Sequence, residues 1–293
     1  MITPHPSLRG RSVLSLRNHD PAGIAALLES AADLKADRNW PPLLAGRVIA
    51  LIFEKPSTRT RVSFESGIAR LGGDSLVLSG RDMQMGRGET VEDTAKVLSR
   101  MVDAIVIRTG SHATITELDR AADVPVINAL TYEHHPCQAL ADAQTLAERF
   151  GDLVGLPVAY VGDGNNVCTS LMIIAGLTGM DLTCGCPAGY EPDAEVMAWA
   201  DAAARALGGR VDGTREPGEA VRGARAVYTD TWVSMGDEET AETRRAALGP
   251  FRVDDALLAD AAADAVVLHC LPAHHGDEVT HDVLHGPRSA VWD

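Results

Sequence analysis

"RVIALIFEKPSTRTRVSFESGIARLGG", residues 47–73, sets an unbroken apolar run ahead of a helical pattern that opens on hydroxyls and guanidiniums. The run "RVIALIF" (47–53) has no polar alternation, which predicts a strand buried on both faces, as in a parallel sheet covered by helices. Residues 57–73 predict a helix that stops at glycines. A strand that feeds straight into a helix is half of a βαβ unit.

Working outward, the same alternation recurs. Asp20-Pro21 predicts an N-cap and first helical residue, opening a helix to about residue 35. Downstream come "SLVLS" (75–79), a helix over about 90–102, "AIVIR" (104–108), a short helix, "PVIN" (125–128) and a helix over 136–150. A polar stretch at 150–156 precedes a second series: strand "PVAYV" (157–161), a helix from Asn166, strand "DLTCG" (181–185), an Ala-rich helix over 192–207 and strand "AVYT" (226–229). Helices near 238–247 and 254–262 and strand "AVVLH" (265–269) complete it. The expected fold class is α/β, with two doubly wound domains, 1–150 and 151–293, each a parallel sheet flanked by helices. At roughly 150 residues per domain, the 293-residue length agrees.

Composition narrows the function. A net charge of −15 opposes nucleic-acid binding, which needs a basic face. No apolar run nears the roughly 20 residues that span a bilayer, and the N-terminus lacks the continuous apolar segment of a secretory signal. Five cysteines without a scaffold-like spacing predict free thiols in a reducing, cytoplasmic setting. Lys35, Lys55 and Lys96 are the only lysines, against 41 acidic residues. That bias suits a surface screened by molar salt, where the Debye length is about 3 Å; a GC-rich genome gives the same Arg-for-Lys substitution.

The unusual polar residues gather just past predicted strand ends, the edge where open α/β sheets bind ligands. Strand 47–53 leads to Ser57, Thr58, Arg59, Thr60 and Arg61; strand 104–108 ends in Arg108, with Thr109 and His112 beyond; strand 125–128 leads to His135 and Gln138. Strand 157–161 leads to "GDGNN", strand 226–229 to Asp230, Ser234, Met235 and Gly236, and strand 265–269 to Cys270, Leu271 and Pro272. "STRTR" at a helix N-terminus suits a phosphate-like dianion: the helix dipole and N–H groups attract it, and arginine can fork onto two oxygens. A plain reading is a helix capped by Ser57, which leaves Arg108 unexplained. "HPCQ" (135–138) reads equally as capping or as an imidazole and a carboxamide facing a ligand, until its place at a strand end is counted. "VGDGNN" lacks the third glycine of a dinucleotide fingerprint. His134, His135, His269, His274 and His275 lack a ligand spacing on one helix, so no metal is expected.

Together "FEKPSTRTRVSFE", "IRTGSH", "HPCQALAD", "DTWVSMG" and "HCLPAHHGDEV" resemble the aspartate/ornithine carbamoyltransferase family, from about Leu14 to the end of the chain. The Ser-Met-Gly segment and His-Cys-Leu-Pro match its ornithine-using branch. The resemblance implies an active site in the cleft between two domains, homotrimers or multiples of them, and no cofactor. It implies that Ser57, Thr58, Arg59 and Thr60 hold the phosphate of carbamoyl phosphate and that Arg108 bridges phosphate and carbonyl. His135 then polarises that carbonyl with Thr60 and Arg108, and Gln138 and the backbone near Cys270 and Leu271 bind the carbamoyl amino group. Gln84, in "MQMGRGET", would reach carbamoyl phosphate from a neighbouring subunit. Asn166, Asp230, Ser234 and Met235 match positions holding the α-amino and α-carboxylate groups of L-ornithine, with Asp230 and Cys270 near the attacking δ-amine. Alternatives are a carbamoyltransferase for putrescine or an acylated ornithine, and a non-catalytic subunit on the same fold. The family usually has Arg at position 275. It also continues past the equivalent of Asp293 into a returning helix that bears a further Arg, so a longer natural chain is expected.

Overall fold

A computed structural model describes residues 6, 8–37, 39–85, 87–233 and 238–293. The chain divides into two compact units, residues 1–137 and 138–293. Among the described residues no helix is long and apolar enough to cross a membrane.

The first unit holds α1 (Pro21–Ala36), β1 (Val48–Phe53), α2 (Thr58–Arg70), β2 (Asp74–Ser79), α3 (Val91–Leu98), β3 (Ala104–Arg108), α4 (His112–Ala121) and β4 (Val126–Leu130). Its strands are all parallel, in the order β2-β1-β3-β4. The apolar run of β1 is buried on both faces by simple alternation. Ala50 and Ile52 join Ile105 and Ile107 under Ala95 of α3 and Ile115 and Leu118 of α4. Ile49, Leu51 and Phe53 join Val106 under Ile68 of α2. Each face thus has its own helical cover, which is why no polar residue interrupts the run.

Helix α5 (Pro136–Phe150) carries the chain across, and the division between units falls in its first turn. The second unit follows with β5 (Pro157–Val161), α6 (Asn166–Thr178), β6 (Asp181–Gly185), α7 (Ala194–Leu207), β7 (Arg210–Thr214), α8 (Pro217–Val221), β8 (Ala226–Thr229), α9 (Ala241–Leu248), α10 (Asp255–Leu258), β9 (Val266–His269) and α11 (His281–Leu284). This sheet is also parallel, in the order β7-β6-β5-β8-β9. Helix α6 is buried from Val167 to Leu177, apolar all round as a central helix must be. Gly176 lets α7 approach it: an added Cβ would stand 3.0 Å from the Ala200 carbonyl oxygen.

In both sheets the strand order reverses once at a central point, between β1 and β3 and between β5 and β8. At such a point the loops leave in opposite directions and open a crevice at the carboxyl edge. The sequence reading found eight of the nine strands among the described residues. It missed β7, an edge strand whose "RVDGT" buries only Val211, and the short helices α8 and α11. The helix expected over 90–102 ends at Leu98, where residues 99–102 close in tight turns, and that expected over 254–262 is the four-residue α10.

Candidate active site

At the first switch point, Ser57 occupies the N-cap position of α2, yet its side chain makes no cap bond to the helix. Instead Arg108, the last residue of β3, donates from Nη1 to Ser57 Oγ and to Thr60 Oγ1, both at 3.2 Å. A register shift between Ile107 and Arg108 adds a residue to β4 opposite this strand end, a bulge of the kind that re-aims a side chain. With the hydroxyl oxygens accepting from Arg108, the hydroxyl hydrogens of Ser57 and Thr60 are left to donate to an anion. Thr58 and Arg59 are exposed on the first turn of α2. The strand ends are tied together: Glu54 N donates to the Arg108 carbonyl at 3.0 Å, and Thr109 Oγ1 hydrogen-bonds Glu54 Oε2. Beside them a cavity of about 260 Å³ is lined in part by Lys55, Ser57, Arg61 and Arg81, a cationic wall.

His135 precedes Pro136, the first residue of α5. Its ring is half-buried with Nδ1 fully covered. Burial, then the nearby Arg108 charge, lowers its pKa to about 3, so the imidazole is neutral at physiological pH. Burial likewise lowers His134 to about 4. A neutral imidazole can donate one N–H to a carbonyl oxygen without transferring a proton. Gln84 is exposed in the loop before α3, its carbonyl accepting from Arg87 N at 2.8 Å.

In the second unit, Gln138 Nε2 donates to Asp142 Oδ1 at 2.9 Å, one turn along α5. The Gln138 carboxamide oxygen is therefore the end left to accept from a ligand amino group. Asp142 is 4% exposed; burial raises its pKa to about 7, against the lowering effect of the Gln138 bond.

At the second switch point Asp230 is 4% exposed and held from both sides. Asn165 Nδ2 donates to its Oδ2 at 2.7 Å, and Cys270 Sγ donates to its Oδ1 at 2.9 Å. Asn165 caps α6 at the same time, its Oδ1 accepting from Val167 N and Cys168 N at 3.0 and 3.2 Å. Asn166, named from the sequence, is half-buried at the first helical position beside it. Sequence reasoning passed over Asn165, although an Asn ahead of an apolar helix is a strong N-cap signal. It also passed over Arg244, whose guanidinium pairs with Asp163 while Nε donates to the Trp232 carbonyl at 2.7 Å. That link fixes the loop after β5 to the segment after β8.

Leu271 has φ +58°, which a branched residue adopts only under constraint. The constraint is local: Leu271 N donates to His269 Nδ1 at 2.8 Å, and buried His269 turns Nε2 to Glu278 Oε1 at 3.3 Å. Asp230, His269 and Cys270 have ligand atoms within 4.8 Å of one another, a set that suits zinc. Their donors and acceptors are engaged with one another, with Asn165, Leu271 and Glu278, so the arrangement reads as a hydrogen-bonded anionic pocket. Ser234, Met235 and Gly236 lie outside the described residues.

Residues 11–148 match the carbamoyl-P binding domain, and residues 154–293 the Asp/Orn binding domain, of the aspartate/ornithine carbamoyltransferases. The ornithine carbamoyltransferase of Acidothermus cellulolyticus is 54% identical over 274 residues, 93% of this chain and 88% of that protein. The solved structure of ornithine carbamoyltransferase from Pyrococcus furiosus superposes with a TM-score of 0.95 at 47% identity, covering 98% of this chain and 93% of that one. The Thermus thermophilus enzyme of the same name gives 0.88 at 42% identity, covering 96% and 92%.

Proposed function

Because this chain belongs to the aspartate/ornithine carbamoyltransferase family, we propose that it transfers the carbamoyl group of carbamoyl phosphate to the δ-amine of L-ornithine, giving L-citrulline and phosphate. The observation that carries this function is Arg108 held by Ser57 and Thr60 at the N-terminus of α2. It presents a guanidinium, hydroxyl hydrogens and helix N–H groups to one small dianion.

Carbamoyl phosphate brings its own leaving group, so the protein supplies position and charge. The phosphate sits on Ser57, Thr58, Arg59 and Thr60. Thr60, Arg108 and His135 donate to the carbonyl oxygen, and the Gln138 carboxamide oxygen and the carbonyls near Cys270 and Leu271 accept from the amino group. Asn166, Ser234 and Met235 hold the α-groups of ornithine. A primary amine has a pKa of about 10.4, so it enters as a cation and is drawn to the anionic pocket of Asp230 and Cys270. The same pocket repels the second carboxylate of aspartate. The bound ammonium releases one proton to solvent, the resulting neutral amine attacks the carbonyl carbon, and the oxyanion of the tetrahedral intermediate rests on donors already in place. The carbon–oxygen bond to phosphate then breaks, and the departing phosphate takes the amine proton.

Gln84, polar and exposed in a glycine-bearing loop, supports a homotrimer, or a multiple of one, in which each subunit completes its neighbour's site. Five cysteines outside any disulfide, with Cys168 Sγ and Cys184 Sγ in a thiol hydrogen bond at 3.7 Å, support the reducing cytoplasm as its location. The test is citrulline formation by purified protein offered carbamoyl phosphate with ornithine, aspartate, putrescine or N-acetylornithine. Ornithine should be the preferred acceptor by kcat/KM; preference for any of the others would overturn the assignment.

A further inference from the structure

His281 and His285 form the sequence "HDVLH", the spacing that sets two imidazoles on one helical face. They sit at the first residue and the C-cap of α11, with ring centroids 4.5 Å apart. His275, in the segment that follows Cys270 and Leu271, brings a third imidazole to 5.2 Å from His281 and 5.6 Å from His285. All three side chains are exposed, and none belongs to the pocket around Asp230.

The ring-centroid separations match a metal triad, although the three rings as placed do not turn one nitrogen each to within 4.8 Å of the others. With a metal–nitrogen bond of about 2.0–2.1 Å, an imidazole centroid lies about 3 Å from the ion, and two tetrahedral ligands have centroids about 5 Å apart. The rings are inclined at 34°, 42° and 58° to one another. Binding an ion requires these exposed rings to turn about χ2, a broad torsion in histidine, so that three nitrogens face one point. Asp282 Oδ1 lies 3.3 Å from His281 Nδ1, placed to accept that N–H and leave Nε2 for an ion, as carboxylates do behind zinc-bound histidines. Trp292 stacks on His285 with centroids 5.4 Å apart and supports that ring.

We propose that His275, His281 and His285 bind one divalent transition-metal ion of the imidazole-preferring class, zinc, nickel or copper, with water completing its coordination. The ion ties the segment carrying Cys270 and Leu271 to α11 and stabilises the folded chain by its affinity for it.

The test is a cobalt(II) titration of tag-free, chelator-treated protein, followed by visible absorption and by zinc competition. One equivalent should bind without a thiolate charge-transfer band. His281→Ala and His275→Ala should each weaken binding at least about tenfold, the loss that even supporting partners of a ligand cause, with unchanged circular dichroism. Cys270→Ser should bind as the unaltered protein does. Equal affinity in the histidine variants would overturn the site. So would a thiolate band that Cys270→Ser abolishes, because it would place the ion on Asp230, His269 and Cys270.

Discussion

Gln138 donates its carboxamide nitrogen to Asp142 one helical turn below it, at 2.9 Å, and so turns its oxygen outward. A freely rotating carboxamide would offer a carbamoyl amino group its nitrogen half of the time. Asp142→Ala should therefore raise KM for carbamoyl phosphate by about tenfold, the value of one hydrogen bond to a buried group, with little change in KM for ornithine. Asp142→Asn, which still has an oxygen to accept from Gln138, should retain most of the affinity. The folded pKa of Asp142, about 7, lies above the ordinary 3.8, so the folded protein keeps a proton that the unfolded chain releases. Its stabilising contribution is full below about pH 4 and is lost as pH rises to about 7. The stability gained by Asp142→Asn should grow across that window, as read by denaturant unfolding at successive pH values. A gain independent of pH would contradict the assigned protonation.

His135 titrates in the opposite sense. Its pKa, lowered from 6.5 to about 3 by burial and by Arg108, means that the unfolded chain binds the extra proton between those values. Its contribution to stability is full above about pH 6.5 and is lost as pH falls toward 3. In catalysis it should act as a neutral donor. His135→Asn should lower kcat by about 10²- to 10³-fold, the cost of losing an oxyanion donor, without moving the acid limb of the pH–rate profile. An acid limb near pH 6 that disappears in the variant would show instead that His135 works as a titrating acid or base.

The sequence carried the fold because buried strands such as β1 and β3 are apolar runs and several helix entries have their own cap, as at Asp20, Thr90 and Asn165. β7 escaped because an edge strand buries too little to show a pattern. Ser57, Thr60 and Arg108 could be named from strand-end position, but the bond that joins them spans 51 residues between Ser57 and Arg108, and only the parallel register of β1 and β3 creates it. The Asn165–Asp230–Cys270 chain is illegible for the same reason: its members leave three different strands. The "HDVLH" spacing stands in the sequence, but the sequence reading passed over it and expected no metal, and its third partner, His275, becomes one only through the turn after β9.

Asp230 and Arg108 should fail in different ways. Asp230→Asn keeps an acceptor for only one of Asn165 and Cys270 and removes the charge that draws a cationic amine. KM for ornithine should rise by at least about tenfold, with carbamoyl phosphate binding nearly unchanged; loss of a charged partner costs roughly 1.5–3 kcal/mol. Arg108→Ala should instead lower kcat by about 10²- to 10³-fold. Isothermal titration with carbamoyl phosphate alone separates the two. Equal weakening of that binding by both substitutions would oppose the assignment of phosphate to one unit and amino acid to the other.

The net charge of −15 should make stability depend on salt. Self-repulsion among surface carboxylates is screened over about 10 Å at 0.1 M and about 3 Å at 1 M. The melting temperature should rise between roughly 0.1 and 3 M potassium chloride, and activity should persist across that range. The control is sodium sulfate, which strengthens apolar burial in any protein. A flat melting temperature in potassium chloride would assign the acidic, lysine-poor composition to genome bias.

The proposed sharing of sites between subunits rests on Gln84, whose exposed side chain stands in a loop pinned by its own backbone: Arg87 N bonds the Gln84 carbonyl. If that side chain completes a neighbour's carbamoyl phosphate site, a chain with Gln84→Ala and a chain with Arg59→Ala are defective in different halves of a site. Mixed trimers then contain sites with both halves intact. Each variant alone should lose most of its activity, and mixtures should regain part of it after subunits are exchanged by dissociation and reassembly. The restored fraction should follow the binomial proportion of mixed trimers as the ratio varies. Exchange is verified by native mass spectrometry with one chain isotopically labelled. Mixed trimers that form without any recovered activity would mean that each subunit's site is self-contained and that Gln84 acts within its own chain.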